Sequence, residues 1–271
     1  MPELPEVQTT VNGLQLLINK EITNIELYSI KLRYIIPKKL KKLIKNKKIT
    51  KIYRIAKYII LNLNNNYSII FHLGMSGRLR ITNMDKYNYV KHDHVLLFTK
   101  NNKVISFNDQ RKFGFVDICP STETKNIKYI SKLGPDPFSS NFTYKYFSNR
   151  IKKTTVSIKQ ILLNQEIISG IGNIYASEIL YDSKISPLKK GSSLSVNEIK
   201  ILIKSTRKIL NKAINAGGTS IRDYLSADGT LGNFQNEFKV YNKEKETVKG
   251  YKIKRIVQNG RSTFYCPGRQ K

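Results

Sequence analysis

The strongest constraint on the fold is a change in hydrophobic periodicity along the chain. Between residues 22 and 116, short apolar runs such as ITNIELYSI, YSIIFHLGM and HVLLFT are separated by Asn-rich and Gly-containing turns. This spacing is typical of the strands of a β-sandwich. Beyond residue 137 the apolar residues recur at helical spacing, and strand-like runs return after residue 238. The sequence therefore predicts an α+β protein.

Local signals place several helices within this pattern. Residues 5–18 combine a first-turn proline and glutamate with apolar residues near helical spacing, which predicts an N-terminal helix. A basic stretch at 38–48 interrupts the strands as a helix or loop. Ser195 and Glu198 form a capping box before a long apolar stripe, and a glycine pair beginning at Gly217 ends that helix.

A Pro/Gly-rich connector, LGPDPF, predicts a domain boundary near the middle of the chain. We expect a β-sandwich domain over residues 1–118 and a linker over 119–137. A helical domain then covers 138–232, and a small terminal β unit covers 233–271.

The charge balance points to a polyanionic partner. The 48 Lys and Arg residues against 19 Asp and Glu residues give a net charge of +29, and nucleic acid is the commonest polyanion that such a protein binds. Two cysteines, Cys119 and Cys266, exclude a disulfide scaffold and a four-thiolate zinc site. No apolar run spans a membrane, and the polar N-terminus is not a signal peptide. We expect a soluble protein of a reducing compartment, the cytoplasm or nucleoid if it is bacterial, with no membrane partner.

The N-terminal residues can carry chemistry. Removal of Met1 would give Pro2 a free secondary amine, and an α-amino group has a pKa near ~8, so much more of it is neutral at pH 7 than of a lysine. A neutral amine can attack an aldehyde-like carbon to form a Schiff base, and Glu3 or Glu6 could supply the proton. From these residues alone, ordinary capping of a helix start is the simpler interpretation.

The chain as a whole resembles a known family of DNA repair enzymes. MPELPEVQTT is similar to the opening of the formamidopyrimidine-DNA glycosylases, which remove oxidised purines, and Leu4 favours this branch over the endonuclease VIII-like branch, which usually has Gly there. Nine further similar blocks follow in the family's order, up to residue 270: RIAKYIILNL, FHLGMSGRLR, KHDHV, NDQRKFGFVDI, LGPDPF, IKQILLNQ, SGIGNIYASEIL, AGGTSIRDYLSADGTLGNFQNEFKVY and GRSTFYCPGRQ.

The resemblance implies a fold and an activity. The N-terminal domain would be a β-sandwich with a catalytic helix, followed by a helix–two-turn–helix DNA-binding domain and a β-hairpin finger. The activity would be excision of 8-oxoguanine and formamidopyrimidines from duplex DNA in base-excision repair, with strand cleavage by β- and δ-elimination. The expected partner is double-stranded DNA with oxidised bases or abasic sites, bound by a monomer.

The resemblance also assigns catalytic roles. Pro2 would attack C1′ of the damaged nucleotide, Glu3 would be the acid/base partner and Glu6 would support it. Lys57 would contact phosphate and assist β-elimination. From the residues alone, Lys57 is equally well interpreted as a snorkelling lysine at a strand edge.

Three side chains match those that fill the space left by a flipped-out base in the family, namely Met75, Arg111 and Phe113. An apolar wedge and a cation suit this role because removing a base from the stack costs stacking energy. Core packing is the ordinary interpretation of Met75 and Phe113, but Gly74 and Gly77 place Met75 in a turn.

Further positions match DNA contacts of the family. We expect phosphate contacts from His72 and His92 and a structural role for His94; a metal site is the alternative, but no cysteine or second carboxylate cluster accompanies the histidines. Asn173 begins a helix whose free N–H groups favour an anion, although it also suits an ordinary N-cap. Lys153 and Lys159 flank the same motif as phosphate or lesion-side cations, and the family's mobile lesion-covering loop corresponds to a segment with Gly218, Thr219, Arg222 and Tyr224.

The finger departs from the family pattern of four cysteines. Val248 and Tyr251 stand near the first cysteine pair, Cys266 keeps the third position and Arg269 replaces the fourth. One thiolate cannot hold tetrahedral zinc, so we expect a zincless finger and no cofactor. Arg261 survives in GRSTFYC and would grip phosphates around the lesion, which argues against a decayed finger. Packing must then hold the hairpin, with candidates Val248, Tyr251, Ile253, Ile256, Phe264 and Tyr265.

Two other functions remain open. In the first alternative, the chain is an enzyme of the same class whose substrate is an oxidised pyrimidine rather than a purine. In the second alternative, the chain is not an enzyme but a basic DNA-binding protein that has lost catalysis, as the missing zinc ligands would allow. Intact Pro2, Glu3, Lys57 and Arg111 count against this second alternative.

Overall fold

The structure, a computed structural model, describes residues 2–219 and 232–271. These residues form two compact units. The first comprises the described residues of Met1–Ser131 and Ala216–Gln235, and the second comprises Lys132–Asn215 and Asn236–Lys271. In the part of the chain that the structure describes, no helix is long and apolar enough to cross a membrane.

The first unit begins with helix α1 (Leu4–Leu14), which continues into a 3-10 turn (Gln15–Leu17). Val7, Val11 and Leu14 are buried and pack into the core of the unit. The predicted N-terminal helix is confirmed, although its last turn is a tighter 3-10 turn.

Eight antiparallel strands form the sandwich in the order β5-β7-β6-β1-β2-β3-β4-β8. They are β1 (Glu21–Leu27), β2 (Lys47–Ile55), β3 (Tyr58–Leu63), β4 (Tyr67–His72), β5 (Arg78–Asn83), β6 (Asp93–Thr99), β7 (Lys103–Asn108) and β8 (Phe115–Pro120). Only two residue pairs join β1 to β2, Glu21 with Lys48 and Ile22 with Lys47. The sheet is therefore two four-stranded halves that share one apolar core.

The basic stretch at 38–48 resolves into a short helix, α2 (Leu40–Ile44), and the start of β2. Leu40 and Ile44 are buried in the core of the sandwich while the lysines between them face outward. One turn of amphipathic helix thus connects two strands.

The predicted domain boundaries differ from the compact units. Strand β8 continues to Pro120, and α3 (Lys128–Ser131) follows it within the first unit. The hydroxyl of Tyr129 donates to Oδ2 of Asp117 at 2.8 Å, which fixes α3 against β8. Residues 119–131, predicted as linker, therefore belong to the sandwich unit.

Four helices form the body of the second unit: α4 (Tyr144–Ile151), α5 (Ile158–Leu163), α6 (Asn173–Asp182) and α7 (Val196–Asn215). The predicted capping box starts α7, since the backbone N–H of Glu198 donates to Oγ of Ser195 at 3.2 Å. The N–H of Ser195 in turn donates to Oε2 of Glu198 at 2.8 Å. Helix α7 ends two residues before Gly217, where the sequence predicts its end.

The terminal β unit contains two short antiparallel pairs, β9 (Thr247–Val248) with β10 (Tyr251–Lys252) and β11 (Lys254–Gln258) with β12 (Arg261–Tyr265). Two-residue turns close both pairs. Asn259 and Gly260 have φ values of 48° and 70°, and Lys249 and Gly250 have 50° and 82°. Positive φ at both positions is the type I′ geometry that matches the twist of a hairpin.

Candidate active site

The N-terminal cluster, defined as Pro2, Glu3 and Glu6, lies at the start of α1. All three residues are buried, with Glu3 2% and Glu6 1% exposed. Glu3 is the N-cap residue, and its backbone N–H donates to Oε2 of Glu6 at 2.9 Å. The helix N-terminus favours negative charge at this point. The predicted nucleophile, Pro2, is therefore followed directly by Glu3, and the start of α1 holds the carboxyl group of Glu3 in place.

Glu6 also binds the start of the predicted lesion loop. Its Oε1 accepts the backbone N–H of Thr219 at 2.9 Å and the hydroxyl of Thr219 at 3.0 Å. Gly218 has a φ of +76°, and a Cβ there would lie 3.1 Å from Oε1 of Glu6. Glu6 thus connects Gly218 and Thr219 to the catalytic helix, while Arg222 and Tyr224 lie outside the described residues.

Lys57 occupies the tight turn between β2 and β3. Ala56 before it has a φ of 51°, and Ile55 pairs with Tyr58 across the turn. Lys57 is only 9% exposed. Tyr58 pairs with His72 on the next strand, and the charge of Lys57 contributes to lowering the pKa of His72.

His72 is held in its neutral form. Burial, together with the nearby charges of Lys57 and Arg33, lowers the pKa of His72 to about 4. The backbone N–H of Gly74 donates to Nδ1 of His72 at 3.2 Å, so the neutral ring carries its hydrogen on Nε2. His72 therefore presents an N–H donor without needing a proton from solvent.

Arg33 is a site residue that sequence reasoning missed. It is exposed, and its charge contributes to lowering the pKa of His72. Burial raises the pKa of Tyr58, and the charge of Arg33 opposes that shift. Its backbone N–H donates to the carbonyl of Gly114 at 3.0 Å. The available signal was an arginine set among apolar residues in KLRYII.

Two probe loops, residues 73–77 and 109–114, carry the three predicted base-replacing side chains. Met75 on the first loop is 40% exposed, and Phe113 on the second is 45% exposed. The guanidinium of Arg111 lies 4.8 Å from the centroid of the Phe113 ring, a cation–π distance. The structure thus leaves two apolar side chains and a cation at the surface, which core packing would not do.

The two remaining histidines of the first unit differ in environment. His92 has a φ of 75° and is partly exposed, whereas His94 is 4% exposed. Nε2 of His94 lies 2.9 Å from the carbonyl oxygen of Asp109, and Nδ1 lies 2.8 Å from Oγ of Ser29. These contacts support a structural role for His94.

In the second unit, Arg261 is exposed at the first position of β12, directly after the Asn259–Gly260 turn. The next residue fixes its backbone, because the carbonyl of Ser262 accepts Nδ2 of Asn173 at 2.9 Å. Asn173 is the first residue of α6, so the helix start binds the residue next to Arg261. Its amide donor is therefore already engaged within the protein.

The expectation that Lys159 contacts DNA is not supported by its position. Lys159 is 1% exposed. Its Nζ donates to the carbonyl of Ser262 at 3.0 Å and to Oγ1 of Thr263 at 2.6 Å. Both acceptors lie on β12, the strand that carries Arg261, and their hydrogen bonds replace the water that the buried ammonium lacks. Lys153, by contrast, is exposed in the turn between α4 and α5.

The residues at or near the four zinc-ligand positions that the resemblance implies have only one cysteine among them. Val248 offers no donor atom, and Arg269 is cationic with its guanidinium 5.7 Å from the ring centroid of Tyr181. Tyr251 is 49% exposed while Cys266 is fully buried. Over residues 2–219 and 232–271, no group of three or more His, Cys, Asp or Glu could hold a metal ion. These residues do not fit zinc.

An apolar cluster occupies the corresponding place. Its buried members are Val240, Ile253, Phe264 and Cys266, with Tyr181, Tyr241 and Val248 packed against it. The expected packing of Val248, Ile253 and Phe264 is confirmed. Tyr251, Ile256 and Tyr265 lie outside this cluster. Ile256 and Tyr265 face away from Phe264, since side chains alternate between the faces of a strand.

Glu178 on α6 was not identified from the sequence. It is 2% exposed and accepts three backbone N–H groups, from Lys239, Val240 and Tyr241 at 2.9, 3.0 and 2.8 Å. Burial raises the pKa of Glu178, although the three donors oppose the shift. This carboxyl group holds the chain where it enters the terminal β unit.

Comparison with known proteins identifies similar sequences over the whole chain. Residues 1–116 match the family model of the formamidopyrimidine-DNA glycosylase N-terminal domain, and residues 133–224 match that of the H2TH domain. A formamidopyrimidine-DNA glycosylase of Zymomonas mobilis is 40% identical over 273 residues, which is 100% of both chains.

Solved structures are similar over the same length. A Lactococcus lactis Fpg variant in complex with DNA containing Fapy-dG has a TM-score of 0.92 and 35% identity, with 100% of both chains covered. The wild-type Lactococcus lactis Fpg in complex with DNA containing an oxidised pyrimidine has a TM-score of 0.90 and 34% identity, again with 100% of both chains covered.

Proposed function

Because this chain belongs to the formamidopyrimidine-DNA glycosylase family, we propose that it excises oxidised purines, 8-oxoguanine and formamidopyrimidines, from duplex DNA. The observation that carries this proposal is the N-terminal cluster. Excision through a covalent intermediate needs a nucleophile beside a group that can donate a proton. Pro2 and the buried carboxyl group of Glu3 are adjacent at the start of α1.

The chemistry follows from the free amine of Pro2 after removal of Met1. Its nitrogen forms a bond to C1′ of the damaged nucleotide while the bond from C1′ to the base breaks. The Pro2 nitrogen releases its proton, which the leaving base takes up. The bond from C1′ to the ring oxygen O4′ then breaks as Glu3 protonates O4′, and the product is an iminium between Pro2 and C1′ of the opened sugar. Loss of a C2′ proton then expels the 3′ phosphate, and a second elimination expels the 5′ phosphate. Glu6 keeps Glu3 in position, through its hydrogen bond to the Glu3 backbone.

DNA binding rests on cations and neutral donors. The net charge of +29 favours the phosphate backbone and makes affinity fall with salt. Lys57 and the Nε2–H of His72 lie together on neighbouring strand ends and would contact the same stretch of backbone. Further phosphate contacts are assigned to His92, Arg111, Lys153 and Arg261, and to the backbone N–H groups at the start of α6, where Asn173 lies.

Base extrusion uses the probe loops. Met75 and Phe113 are exposed apolar side chains that can enter the stack as the base leaves it, with Arg111 beside Phe113. Unstacking costs about a few kcal/mol, which inserted side chains partly restore. The segment that begins at Gly218 and Thr219 would cover the extruded base.

No metal takes part in this proposal. Cys266 is the one cysteine in a set whose other members are Val248, Tyr251 and Arg269, and a single thiolate cannot hold zinc. The apolar cluster around Phe264 and the contacts to Ser262 hold the strand of Arg261 instead.

Borohydride trapping tests the proposal. The protein is mixed with a duplex that carries 8-oxoguanine opposite cytosine, in the presence of EDTA, and the undamaged duplex serves as control. A covalent protein–DNA adduct on the damaged duplex alone is expected, because borohydride reduces the Schiff base. Absence of an adduct despite DNA binding would favour the binding-only alternative. An adduct that disappears in EDTA and returns with zinc would contradict the zincless finger.

An oxidised pyrimidine is the second candidate substrate. The observation in its favour is the similar Lactococcus lactis Fpg, whose structure contains DNA with an oxidised pyrimidine. Single-turnover excision rates on matched duplexes separate the two candidates. We expect the purine lesion to be removed faster, and a faster pyrimidine reaction would reverse the assignment.

Lys153 and Lys159 flank the same sequence motif, but their substitutions are expected to change different properties, because Lys153 is exposed and Lys159 is buried. Lys153→Ala should reduce the slope of log affinity against log salt by about 0.9, the value for one phosphate contact. Lys159→Ala should lower the free energy of unfolding by about 2–4 kcal/mol, because a buried, hydrogen-bonded side chain is lost. Salt-dependent binding and denaturant unfolding measure the two effects. A stable Lys159→Ala protein with a reduced salt slope would restore Lys159 as a DNA contact.

A further inference from the structure

We propose that the buried carboxylate of Asp109 is a positioning group for base extrusion, holding the two probe loops in one arrangement. This role rests on the proposed function. Asp109 begins the second probe loop and is 0% exposed. A carboxylate is removed from water at a high cost unless hydrogen-bond donors replace the water. The donors that surround Asp109 all come from the probe loops or their supports.

Asp109 connects the loops through its two oxygens. The hydroxyl of Ser76 donates to Oδ1 at 2.6 Å, and the backbone N–H of Gly114 donates to Oδ2 at 2.7 Å. Oγ of Ser76 in turn accepts the backbone N–H of Arg111 at 3.0 Å. One continuous set of hydrogen bonds therefore runs from the first loop to both ends of the second. We call the Asp109–Ser76 pair the latch.

The loops also touch through their backbones. A Cβ at Gly74, whose φ is +62°, would lie 2.3 Å from the backbone nitrogen of Gly114. A Cβ at Gly114 would lie 2.6 Å from the carbonyl oxygen of His72 and 3.0 Å from Oδ2 of Asp109. Any side chain at these two glycines would force the loops apart. The latch therefore acts across a contact that fixes the loops at one separation.

The backbone of Asp109 is anchored by residues outside the probe loops. Its N–H donates to the carbonyl of His92 at 3.1 Å. Its own carbonyl accepts Nε2–H of His94 at 2.9 Å, which leaves Nδ1 of His94 to accept the hydroxyl of Ser29 at 2.8 Å. These contacts attach Asp109 to the sandwich, so the latch is held in place independently of the two probe loops.

The latch lies immediately beside the side chains that enter the DNA. Met75 directly precedes Ser76, and Phe113 directly precedes Gly114. Holding both loops before DNA arrives reduces the ordering cost of inserting the two side chains. An abasic site has no base to remove from the stack, so its cleavage does not need this step. The latch should therefore speed excision of a damaged base and leave cleavage at an abasic site unchanged.

Ser76→Ala tests the latch with a small change. We expect its single-turnover excision of 8-oxoguanine opposite cytosine to fall about tenfold, the effect of about 1.4 kcal/mol. Cleavage at a preformed abasic site should stay within about twofold of the native rate. Fluorescence of 2-aminopurine beside the lesion reports extrusion directly and should slow in parallel with excision.

Ser68→Ala is the matched control. Ser68 is a buried serine at the other end of β4, and its hydroxyl lies 2.8 Å from Oδ1 of Asn62 and 2.8 Å from Oγ of Ser121. Its loss removes a comparable buried hydroxyl from the same sandwich without touching the probe loops. Any effect of this variant should be equal on the two substrates.

Asp109→Asn is the second variant, because its amide nitrogen cannot accept the N–H or O–H that one carboxylate oxygen accepts. It should show the selective loss of Ser76→Ala, and Ser76→Ala still decides the matter if Asp109→Asn does not fold. Equal losses on both substrates, or native rates in a folded Ser76→Ala protein, would overturn the latch. If the native protein cleaves neither substrate, the proposed function fails and the latch fails with it.

Discussion

A variant with one alanine inserted ahead of Pro2 is expected to lose strand cleavage by at least about 10³-fold, the scale seen when a nucleophile is removed. The insertion turns the amine of Pro2 into an amide nitrogen, whose lone pair is delocalised into the carbonyl. The new terminal amine is displaced by about 3.8 Å, one residue of backbone. Cleavage of a duplex with 8-oxoguanine, separated on a denaturing gel, measures the loss.

DNA binding provides the internal control for this variant. The expected phosphate contacts, such as Lys57 and Arg261, do not use the N-terminal nitrogen, so affinity should stay within about twofold of native. Pro2→Gly keeps a free terminal amine and should retain measurable cleavage. Native cleavage by the extended protein would show that the Pro2 amine is not the nucleophile.

Glu6→Ala is expected to lower the free energy of unfolding by about 3–5 kcal/mol. The substitution leaves the backbone N–H groups of Glu3 and Thr219 without their acceptor inside the protein, and it removes a fully buried side chain. Excision should fall as well, because Glu3 and the loop start at Thr219 lose their common anchor. Denaturant unfolding and single-turnover excision measure the two effects.

Two further variants separate the cause of this loss. Glu6→Gln keeps one oxygen that can accept from Thr219 but turns an amide towards the N–H of Glu3, so we expect an intermediate loss of stability. Glu123→Gln changes an exposed glutamate of the same unit, and it should stay within about 0.5 kcal/mol of native. Native stability of Glu6→Ala would show that the Glu6 carboxylate does not hold the loop start.

Features set by neighbouring residues were predictable from the sequence. The capping box of Ser195 and Glu198 needs only a spacing of three residues, and the Asn259–Gly260 turn needs two residues that accept positive φ. The strand pattern of the sandwich follows from alternation, which is also local. These elements have the positions that their local chemistry predicts.

Contacts between distant residues were not predictable. Lys159 reaches Ser262 across 103 residues, and Glu6 reaches Thr219 across 213. A lysine is ordinarily exposed, so neither composition nor spacing indicates that Lys159 points inward. The resemblance placed it near DNA, and only the fold shows that it binds a strand of the protein.

The same limit applies to the latch and to the finger. Asp109 and Ser76 are 33 residues apart, and nothing local marks the aspartate as a link between two loops. In the finger, strand alternation alone could not show that Cys266 would enter the apolar cluster while Tyr251 stayed exposed. Which side chains of the finger enter the apolar cluster depends on where its short strands pack against the helices.

The finger is anchored mainly by its backbone. Glu178 accepts three backbone N–H groups of residues 239–241, and Lys159 and Asn173 both bind the carbonyl of Ser262. Backbone groups are present whatever side chain a position carries, so mutations within the finger leave these anchors intact. Side-chain substitutions at the finger positions Val248, Tyr251 and Arg269 therefore leave the backbone around Arg261 anchored. The side chains that hold the finger lie on the helices, where a single change at Glu178 or Lys159 removes an anchor.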